Sequence, residues 1–309
     1  MPRALPAAVA ALILAVTTAG CGADAPARDG HYTLGFVNGA DTEFHRCLQQ
    51  AIEREATSRG ATVISANSQQ KPERELANIE NLIAQDVDAL VVQTVDIEQL
   101  ADDIARARAA GIPIFLTSVA PGDSDGILGA VTVDQYRIGV LAASWVGNDA
   151  VGQPRTLGVI AGAPGAASDL VVTGLRAAMP KNAKVVASAP GMYSRAKAKA
   201  VAAQMIAKQP GLDYAFVANE DMAFGALEAF RAAGAKVRIV TVNGTDEGLA
   251  AIGDGRFSAT VANSASRLGE LAAENALDLL DGLQPTKVTR LPITLITRET
   301  LYDAPRYCR

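Results

Sequence analysis

The sequence predicts an α/β protein with two domains, each of them a doubly wound parallel sheet covered by helices. Short apolar runs alternate with segments in which apolar residues recur every three or four positions. Uninterrupted apolar runs are typical of parallel strands that are buried on both faces. Glycines such as Gly60 and Gly111 follow the periodic segments, where helices end. The whole scheme occurs twice within the 309 residues.

The first half of the chain alternates strands and helices. The predicted strands are Tyr32–Asn38, Thr62–Ala66, Ala89–Gln93 and Ile114–Thr117. The predicted helices are Glu43–Arg59, Pro72–Gln85 and Ile97–Ala110. Pro72 fits the first turn of its helix, because the N–H group that proline lacks would have no partner there.

The second half repeats the scheme after a bridge formed by Gly129–Asp134 and the helix Gln135–Trp145. The predicted strands are Thr156–Ala161, Lys184–Ala189, Tyr214–Ala218 and Arg238–Val242. The predicted helices are Ser168–Met179, Ser194–Lys208, Ala223–Ala233 and Asp246–Gly253. Two such halves enclose a cleft, and clefts between domains are common sites for small ligands.

The N-terminus has the pattern of an export signal. Arg3 precedes an apolar run, Ala7 to Val16, and small residues lead to Cys21. We expect residues 1–20 to be removed as a lipoprotein-type signal peptide, with Cys21 lipidated at the outer face of the membrane or the chain left periplasmic. An ordinary signal peptide with an incidental cysteine is the alternative. Residues 21–31 then form a flexible tether.

Charge and cysteine content restrict the partners. The net charge is −5, so we expect no binding to nucleic acid. Export permits disulfides, and we predict that Cys47 pairs with Cys308; two free buried thiols are the alternative. The two histidines, His31 and His45, have no ligand spacing around them, so no metal site is expected.

Two buried strands end in asparagines, Asn219 and Asn243. The carboxyl ends of parallel strands are where α/β sheets bind ligands, and a neutral amide suits a small polar molecule. The glycines from Gly158 to Gly165 lack the lysine of a phosphate-binding loop, and no nucleophile elbow is present. The pattern therefore indicates binding without catalysis and without a cofactor.

Four segments carry a family resemblance: Asn219-Glu-Asp-Met-Ala-Phe-Gly-Ala226, Asn243-Gly-Thr245, Ser65-Ala-Asn-Ser68 and Gln93-Thr94-Val-Asp96. From about Tyr32 to Thr300 the chain resembles the bacterial periplasmic sugar-binding protein family of the ribose-binding type, the solute-binding components of ABC transporters. Repressors related to the lac repressor share these motifs, but they carry a helix-turn-helix segment where only an apolar leader precedes Tyr32 here.

The resemblance implies the type I periplasmic binding protein fold, in which three crossings of the chain form a hinge. The crossings would lie near Gly129–Asp134, Val261–Ser264 and Thr289–Pro292. The N-terminal domain would comprise residues 32–134 plus 264–291. The C-terminal domain would comprise residues 135–263 plus 292–303, and residues 304–309 would form a tail.

The resemblance also implies a set of ligand contacts. The loop after the first strand would supply Thr42 and Phe44 with His45 alongside, and a second aromatic side chain would be Tyr193. Three amides, Asn219, Asn243 and Asn263, would bind hydroxyl groups, although asparagines in such places also cap helices and turns.

The sequence departs from the ribose-binding pattern where that pattern carries charges. Thr117 and Ser118 stand in place of an aspartate and an arginine, and Val171 lies at or near the position of another arginine. We still expect Thr117 to contact the ligand. Asp134 and Asp169 could supply replacement acceptors, or could serve as hinge and helix-cap residues. Ribose itself is not expected as the ligand.

The sequence therefore predicts the solute-binding lipoprotein of an ABC importer, a monomer that captures a monosaccharide or small polyol by hinge closure. Its partners would be the ABC permease subunits and, through Cys21, the membrane. The alternative is a receptor that feeds a sensor kinase or takes up a furanose-like signal molecule. A hydrolase that uses Asp134 or Asp169 is a second alternative.

Overall fold

The computed structural model describes residue 1 and residues 31–308. The predicted signal peptide from residue 2 onward, the lipidation site Cys21 and the tether up to residue 30 lie outside the described residues. The described residues from 31 to 308 belong to one compact unit. Within the described part of this unit, two six-stranded sheets are each flanked by helices.

The first sheet is parallel throughout, in the order β11-β5-β4-β3-β1-β2. Its strands are β1 (Thr33–Asn38), β2 (Thr62–Asn67), β3 (Ala89–Val92), β4 (Ile114–Ser118), β5 (Gly129–Val133) and β11 (Val288–Leu291). The central strands β3, β4 and β5 are buried along their whole length, as is usual for parallel strands covered by helices on both faces.

The second sheet has the order β12-β10-β9-β8-β6-β7. Its strands are β6 (Arg155–Ala161), β7 (Ala183–Pro190), β8 (Tyr214–Val217), β9 (Arg238–Asn243), β10 (Ala259–Ala262) and β12 (Thr294–Ile296). Only the edge strand β12 runs antiparallel to its neighbour within the described sheet.

Helices cover both sheets. They are α1 (Glu43–Ser58), α2 (Pro72–Ile83), α3 (Leu100–Ala109), α4 (Gln135–Asp149), α5 (Ala166–Ala177), α6 (Arg195–Lys208), α7 (Glu220–Ala232), α8 (Asp246–Gly253) and α9 (Ala265–Leu280). Helices α1, α2, α3 and α9 pack on the first sheet or on one another, and α4 to α8 do so at the second. We call these two assemblies the first lobe and the second lobe.

The chain passes between the lobes three times. It leaves the first sheet after β5, returns from β10 into α9, which packs on α1, and leaves again between β11 and β12. A short 3₁₀ helix, Arg298–Asp303, then packs on α8 and β12 in the second lobe.

The C-terminal tail returns to the first lobe. The N–H group of Ser266 donates to the carbonyl oxygen of Tyr307 at 2.9 Å, and Tyr307 is buried against Cys47 and Ala265. Cys308 is joined to Cys47 of α1 by a disulfide, with 5.1 Å between the two Cα atoms. The tail is therefore a further connection between the lobes, held by a covalent bond.

Several boundaries and elements differ from the sequence prediction. Helix α4 continues past Trp145 to Asp149, and strands β5, β11 and β12 were not predicted as strands. Helix α7 begins at Glu220 and not at Ala223, because Asn219 caps it and acidic residues favour a first turn. Helix α3 begins at Leu100 and not at Ile97, since the Asp96 carboxylate accepts from the N–H group of Glu98 in a turn. Strand β10 and helix α9 had no counterpart among the predicted elements.

Candidate functional site

A cavity lies between the two lobes at the carboxyl ends of the parallel strands. Its volume is about 150 Å³, whereas one water molecule needs about 10–15 Å³. The first lobe contributes the ends of β1, β3 and β4 and the first turn of α1. The second lobe contributes the ends of β8, β9 and β10 and the loop before α5. The cavity is thus suited to a small ligand held from two sides.

The structure brings together most of the side chains that the sequence pointed to. Seven of them line the cavity: Thr42, Phe44, His45, Tyr193, Asn219, Asn243 and Asn263. They come from five strand ends or loops that are distant in sequence. Their convergence follows from the parallel topology, which places all these strand ends on one side of each sheet.

Thr117 does not line the cavity. It is fully buried, and its Oγ1 atom donates to the carbonyl oxygen of Val92 at 3.4 Å. Successive side chains of a strand point to opposite faces, so the next residue, Ser118, lines the cavity instead. The prediction of Thr117 is corrected to Ser118.

The two aspartates also lie outside the cavity. Asp134 caps α4, because its Oδ1 atom accepts from the N–H group of Arg137 at 2.9 Å, and its Oδ2 atom lies 3.7 Å from Arg290. Asp169 accepts from the N–H group of Gly165 at 3.4 Å. Both serve the helix-cap role that the sequence left open, and neither lines the cavity.

A closed network of hydrogen bonds forms the wall at α1. The Gln93 Oε1 atom accepts from the N–H group of Gly39 and lies 3.1 Å from His45 Nε2. An amide oxygen only accepts, so Nε2 carries the proton and Nδ1 accepts from the Thr42 hydroxyl at 2.7 Å. Burial lowers the pKa of His45 to about 4. The imidazole is therefore neutral, and both nitrogens are bonded to protein atoms.

Asn219 has two separate roles at the end of β8. Its Oδ1 atom accepts from the N–H group of Met222 at 2.8 Å and caps α7. Its Nδ2 atom forms no hydrogen bond with any part of the chain that the structure describes. Since Asn219 lines the cavity, this NH₂ group is available as a donor to a ligand.

The turn after β9 is fixed from behind by Glu220. Its carboxylate accepts from the N–H groups of Gly244 and Thr245 at 2.8 and 2.7 Å, and from the hydroxyl of Thr260 at 2.8 Å. Asn243 lies in this turn with φ +128°, a conformation that few residues other than glycine adopt. The hydrogen bonds of Glu220 hold the turn in a shape that directs Asn243 toward the cavity.

Two buried polar atoms of the cavity wall lack a partner within the described chain: Ser118 Oγ, in the first lobe, and Asn263 Oδ1, in the second. An unpartnered buried polar atom costs about 1–3 kcal/mol. A ligand that bonds to both would remove that cost and link the lobes.

Tyr193, in the loop between β7 and α6 of the second lobe, forms part of the cavity wall. A Cβ on Gly162 would clash with the tyrosine ring, so the ring packs directly on that backbone. Burial raises the pKa of Tyr193 to about 12. The side chain is neutral and held in place.

The lobes touch at the rim of the cavity. A Cβ on Gly165, in the second lobe, would lie 3.0 Å from the carbonyl oxygen of Val95, in the first. On the first lobe, Glu75 holds this rim by accepting from the N–H group of Val95 and the hydroxyl of Thr94, each at 2.6 Å. The structure therefore has the two lobes closed on the cavity.

A family model described as "Periplasmic binding protein domain" matches residues 35–284. The chain belongs to this family. Ribose import binding protein RbsB of Bacillus subtilis (strain 168) is 29% identical over 270 residues, which are 87% of this chain and 88% of the relative. Galactofuranose-binding protein YtfQ of Escherichia coli (strain K12) is 29% identical over 285 residues, 87% of each chain.

Solved structures of periplasmic binding proteins share the fold. The binding protein of the arabinose ABC transporter from Shewanella sp. ANA-3, bound to α- and β-L-arabinofuranose, is 28% identical with a TM-score of 0.81. The match covers 88% of this chain and 93% of that one. The predicted fold class, two parallel-sheet α/β domains of the type I periplasmic binding protein, is confirmed.

Two further features concern membranes and metals. Among the described residues, no helix is both long and apolar enough to cross a membrane. The same residues contain no cluster of three or more side chains suited to hold a metal ion.

Sequence reasoning missed several cavity residues of this periplasmic binding protein. Besides Ser118, the side chains of Gln93 and Ser168 line or brace the cavity, and Gly165 forms its rim. Gln93 ends a predicted strand in the manner of the asparagines, so its position alone could have indicated it. Ser168 and Gly165 carry no comparable signal, because their roles depend on the packing of Tyr193 and on contact between the lobes.

Proposed function

We propose that the protein captures an uncharged monosaccharide or small polyol between its two lobes, as the solute-binding component of an ABC importer. The observation that carries this proposal is the pair of buried, unpartnered acceptors Ser118 Oγ and Asn263 Oδ1, one from each lobe. Hydroxyl groups can donate to both atoms, and a ligand that does so stabilises the closed arrangement.

The relatives support this chemistry. Their names state ribose, galactofuranose and arabinofuranose, all neutral sugars. The side chains that line this cavity include no aspartate, glutamate, lysine or arginine among the described residues. Because an ionic ligand would be buried there without a counter-charge, the chemistry of the cavity favours a neutral one.

Capture would proceed by closure about the three crossings. A ligand shifts the balance toward the closed form only by the extra affinity it has for that form. We assign this extra affinity to contacts that need both lobes at once. Ser118 and Phe44 would contact the ligand from the first lobe, and Asn219, Asn243 and Asn263 from the second. Thr42, His45 and Tyr193 complete the proposed contact set.

We propose that the domain boundaries are those given by the resemblance. Residues 32–134 plus 264–291 would form the N-terminal domain, and residues 135–263 plus 292–303 the C-terminal domain. In support, the strands of each sheet fall within the corresponding ranges. The protein would act by binding alone, without catalysis.

We further propose that the protein is exported and anchored to the membrane by lipid on Cys21, acts as a monomer, and delivers its ligand to permease subunits. The support is the leader sequence together with membership of a periplasmic family. Mass spectrometry of the membrane fraction would test the anchor. An intact leader or an unmodified Cys21 would contradict it.

A thermal-shift screen of the exported chain against pentoses, hexoses, polyols and inositols tests the binding proposal. A ligand at about a hundred times its Kd stabilises by about 2.7 kcal/mol. Asn263→Leu keeps the approximate volume of the side chain but removes the acceptor. This variant should lose most of the thermal shift. No shift from any neutral carbohydrate would contradict the proposal.

A further inference from the structure

The polar side chains of the cavity are not equally available to a ligand. Thr42, His45 and Gln93 satisfy one another and the N–H group of Gly39. The hydroxyl of Thr94, which also lines the cavity, donates to the Glu75 carboxylate at 2.6 Å. Thus much of the wall that looks polar in composition has its donors and acceptors already engaged within the protein.

Several groups that remain available lie at strand ends of both lobes. The Ser118 Oγ and Asn263 Oδ1 atoms are buried without partners, and the Asn219 NH₂ group is uncommitted. These residues, with Asn243, follow the carboxyl ends of β4, β8, β9 and β10 or terminate those strands. A ligand between the lobes can therefore place hydroxyl groups at these strand ends and have each of them bonded.

Another part of the cavity is aliphatic. Val133 and Ile138, at the first crossing, and Val171 and Val242, in the second lobe, line it and belong to one continuous hydrophobic cluster. Val172 of α5 packs against the same cluster. A ligand hydroxyl that faced this surface would lose its hydrogen bonds to water without replacement, whereas a methyl group there would gain by being buried.

We propose that the ligand is a deoxy monosaccharide, with hydroxyls bonded at these strand ends and a methyl group in place of a hydroxymethyl group facing the aliphatic surface. This inference rests on the proposed function, because it assumes that the cavity binds a neutral carbohydrate. The methyl group packs against Val171 and Val242, and the hydroxyls bond to Ser118, Asn219 and Asn263.

Calorimetric titration with matched sugar pairs tests the inference. The pairs are D-fucose with D-galactose, L-fucose with L-galactose, L-rhamnose with L-mannose, and quinovose with D-glucose; the members of each differ only in the exocyclic group. We expect the deoxy member of the binding pair to have a Kd at least about tenfold lower, which is about 1.4 kcal/mol.

A variant tests whether the preference for the deoxy sugar arises at the aliphatic surface. Val171→Thr adds a hydroxyl with little change in volume. It should reduce the ratio of the Kd values of the two sugars to below about threefold. The matched control is Val151→Thr, the same change at a side chain that is 77% exposed. It should keep the wild-type preference. The wild-type titrations decide the inference even if Val171→Thr fails to fold.

Failure of the inference and failure of the proposed function give different results. If the hydroxymethyl member binds as tightly or more tightly, or if only carbohydrates outside these pairs bind, the deoxy assignment is wrong and the sugar-binding function stands. If no neutral carbohydrate binds, the proposed function itself is wrong. A preference that Val171→Thr leaves unchanged would contradict the placement of the methyl group.

Discussion

Gly165 of the second lobe faces the carbonyl oxygen of Val95 in the first lobe so closely that a Cβ would lie 3.0 Å from it. Gly165 also has φ +140°, a conformation that side chains disfavour. This contact exists only when the lobes are closed. The absence of a side chain at Gly165 is therefore a condition for closure.

Gly165→Ala should weaken ligand binding by at least about tenfold, since the methyl group opposes closure and the backbone is strained by about 1–3 kcal/mol. Calorimetric Kd values measure this effect. The control is Gly152→Ala, where φ is +76° but no atom lies within 4 Å of the added Cβ. It should lower the melting temperature without changing the Kd. Equal Kd values for the two variants would show that the rim contact is unimportant.

Asn219 combines a helix cap with a proposed ligand donor, and two substitutions separate these roles. Asn219→Asp keeps an acceptor for the N–H group of Met222 but loses the NH₂ donor. It should retain stability within about 0.5 kcal/mol and weaken binding about tenfold or more. Asn219→Ala should lose binding and also about 1 kcal/mol of stability. Urea unfolding and calorimetry distinguish them, and full affinity in Asn219→Asp would exclude a ligand contact.

His45 should make the fold sensitive to acid. Burial lowers its pKa from 6.5 to about 4, so between these values the folded state binds fewer protons than the unfolded chain. The stabilisation is complete above pH 6.5 and is lost as the pH falls through 4. Between pH 7 and pH 4 we expect the free energy of unfolding of wild type to fall by about 3 kcal/mol more than that of His45→Gln.

Urea unfolding at several pH values measures this difference. The control is His31→Gln, at an exposed histidine whose ring bonds to the carbonyl oxygen of Gly60, and it should follow the wild-type profile. Parallel profiles for wild type and His45→Gln would mean that the imidazole is accessible to protons in the folded state.

Glu75 should make the fold less stable as the pH rises, whereas His45 makes it less stable as the pH falls. It is buried next to Asp103, and burial raises the pKa of Glu75 to about 8. Its protonated form is favoured in the folded state, so the stabilisation is present below the unfolded value of 4.5 and is lost as the pH rises through 8. The stability of Glu75→Gln should fall less between pH 7 and 9 than that of wild type.

The corresponding control is Glu73→Gln, an exposed glutamate on the same helix. Chemical denaturation at pH 7, 8 and 9 gives the comparison. A wild-type stability that is flat over this range would contradict the raised pKa of Glu75.

The disulfide between Cys47 and Cys308 encloses a sequence separation of 261 residues. Replacing both cysteines by serine should destabilise the protein by about 2–5 kcal/mol. Phe44 packs against the cluster around this bond and lines the cavity, so the double variant should also bind ligand more weakly. Thermal denaturation and calorimetry measure the two effects. An unchanged melting temperature would show that packing of Tyr307 alone holds the tail.

Much of the fold follows from local sequence. The strands β3, β4 and β8 are short apolar runs that fit only a sheet buried on both faces, and helices such as α1 have one apolar stripe. The start of α7 did not follow from this reasoning, because its first turn, Glu220 and Asp221, is polar. Helix starts depend on capping, which is a property of one side chain and not of a periodic pattern.

The site was less predictable than the fold. Strand-end asparagines indicated the cavity because parallel topology gathers strand ends on one side. The choice between Thr117 and Ser118 depends on which face of β4 is turned to the cavity, and a buried strand gives no alternation to decide it. The pairing of His45 with Gln93, 48 residues apart, follows only from tertiary structure.

The Cys47–Cys308 bond changes the shortest covalent path between the ends of the described chain. From residue 31 that path runs along the backbone only as far as Cys47, crosses the sulfur atoms and reaches the tail directly. Every strand after β1 and all three crossings lie on a closed loop beside this path. A mechanical pull on the two ends would therefore load β1 and the first turns of α1 alone, and the hinge would carry none of the tension.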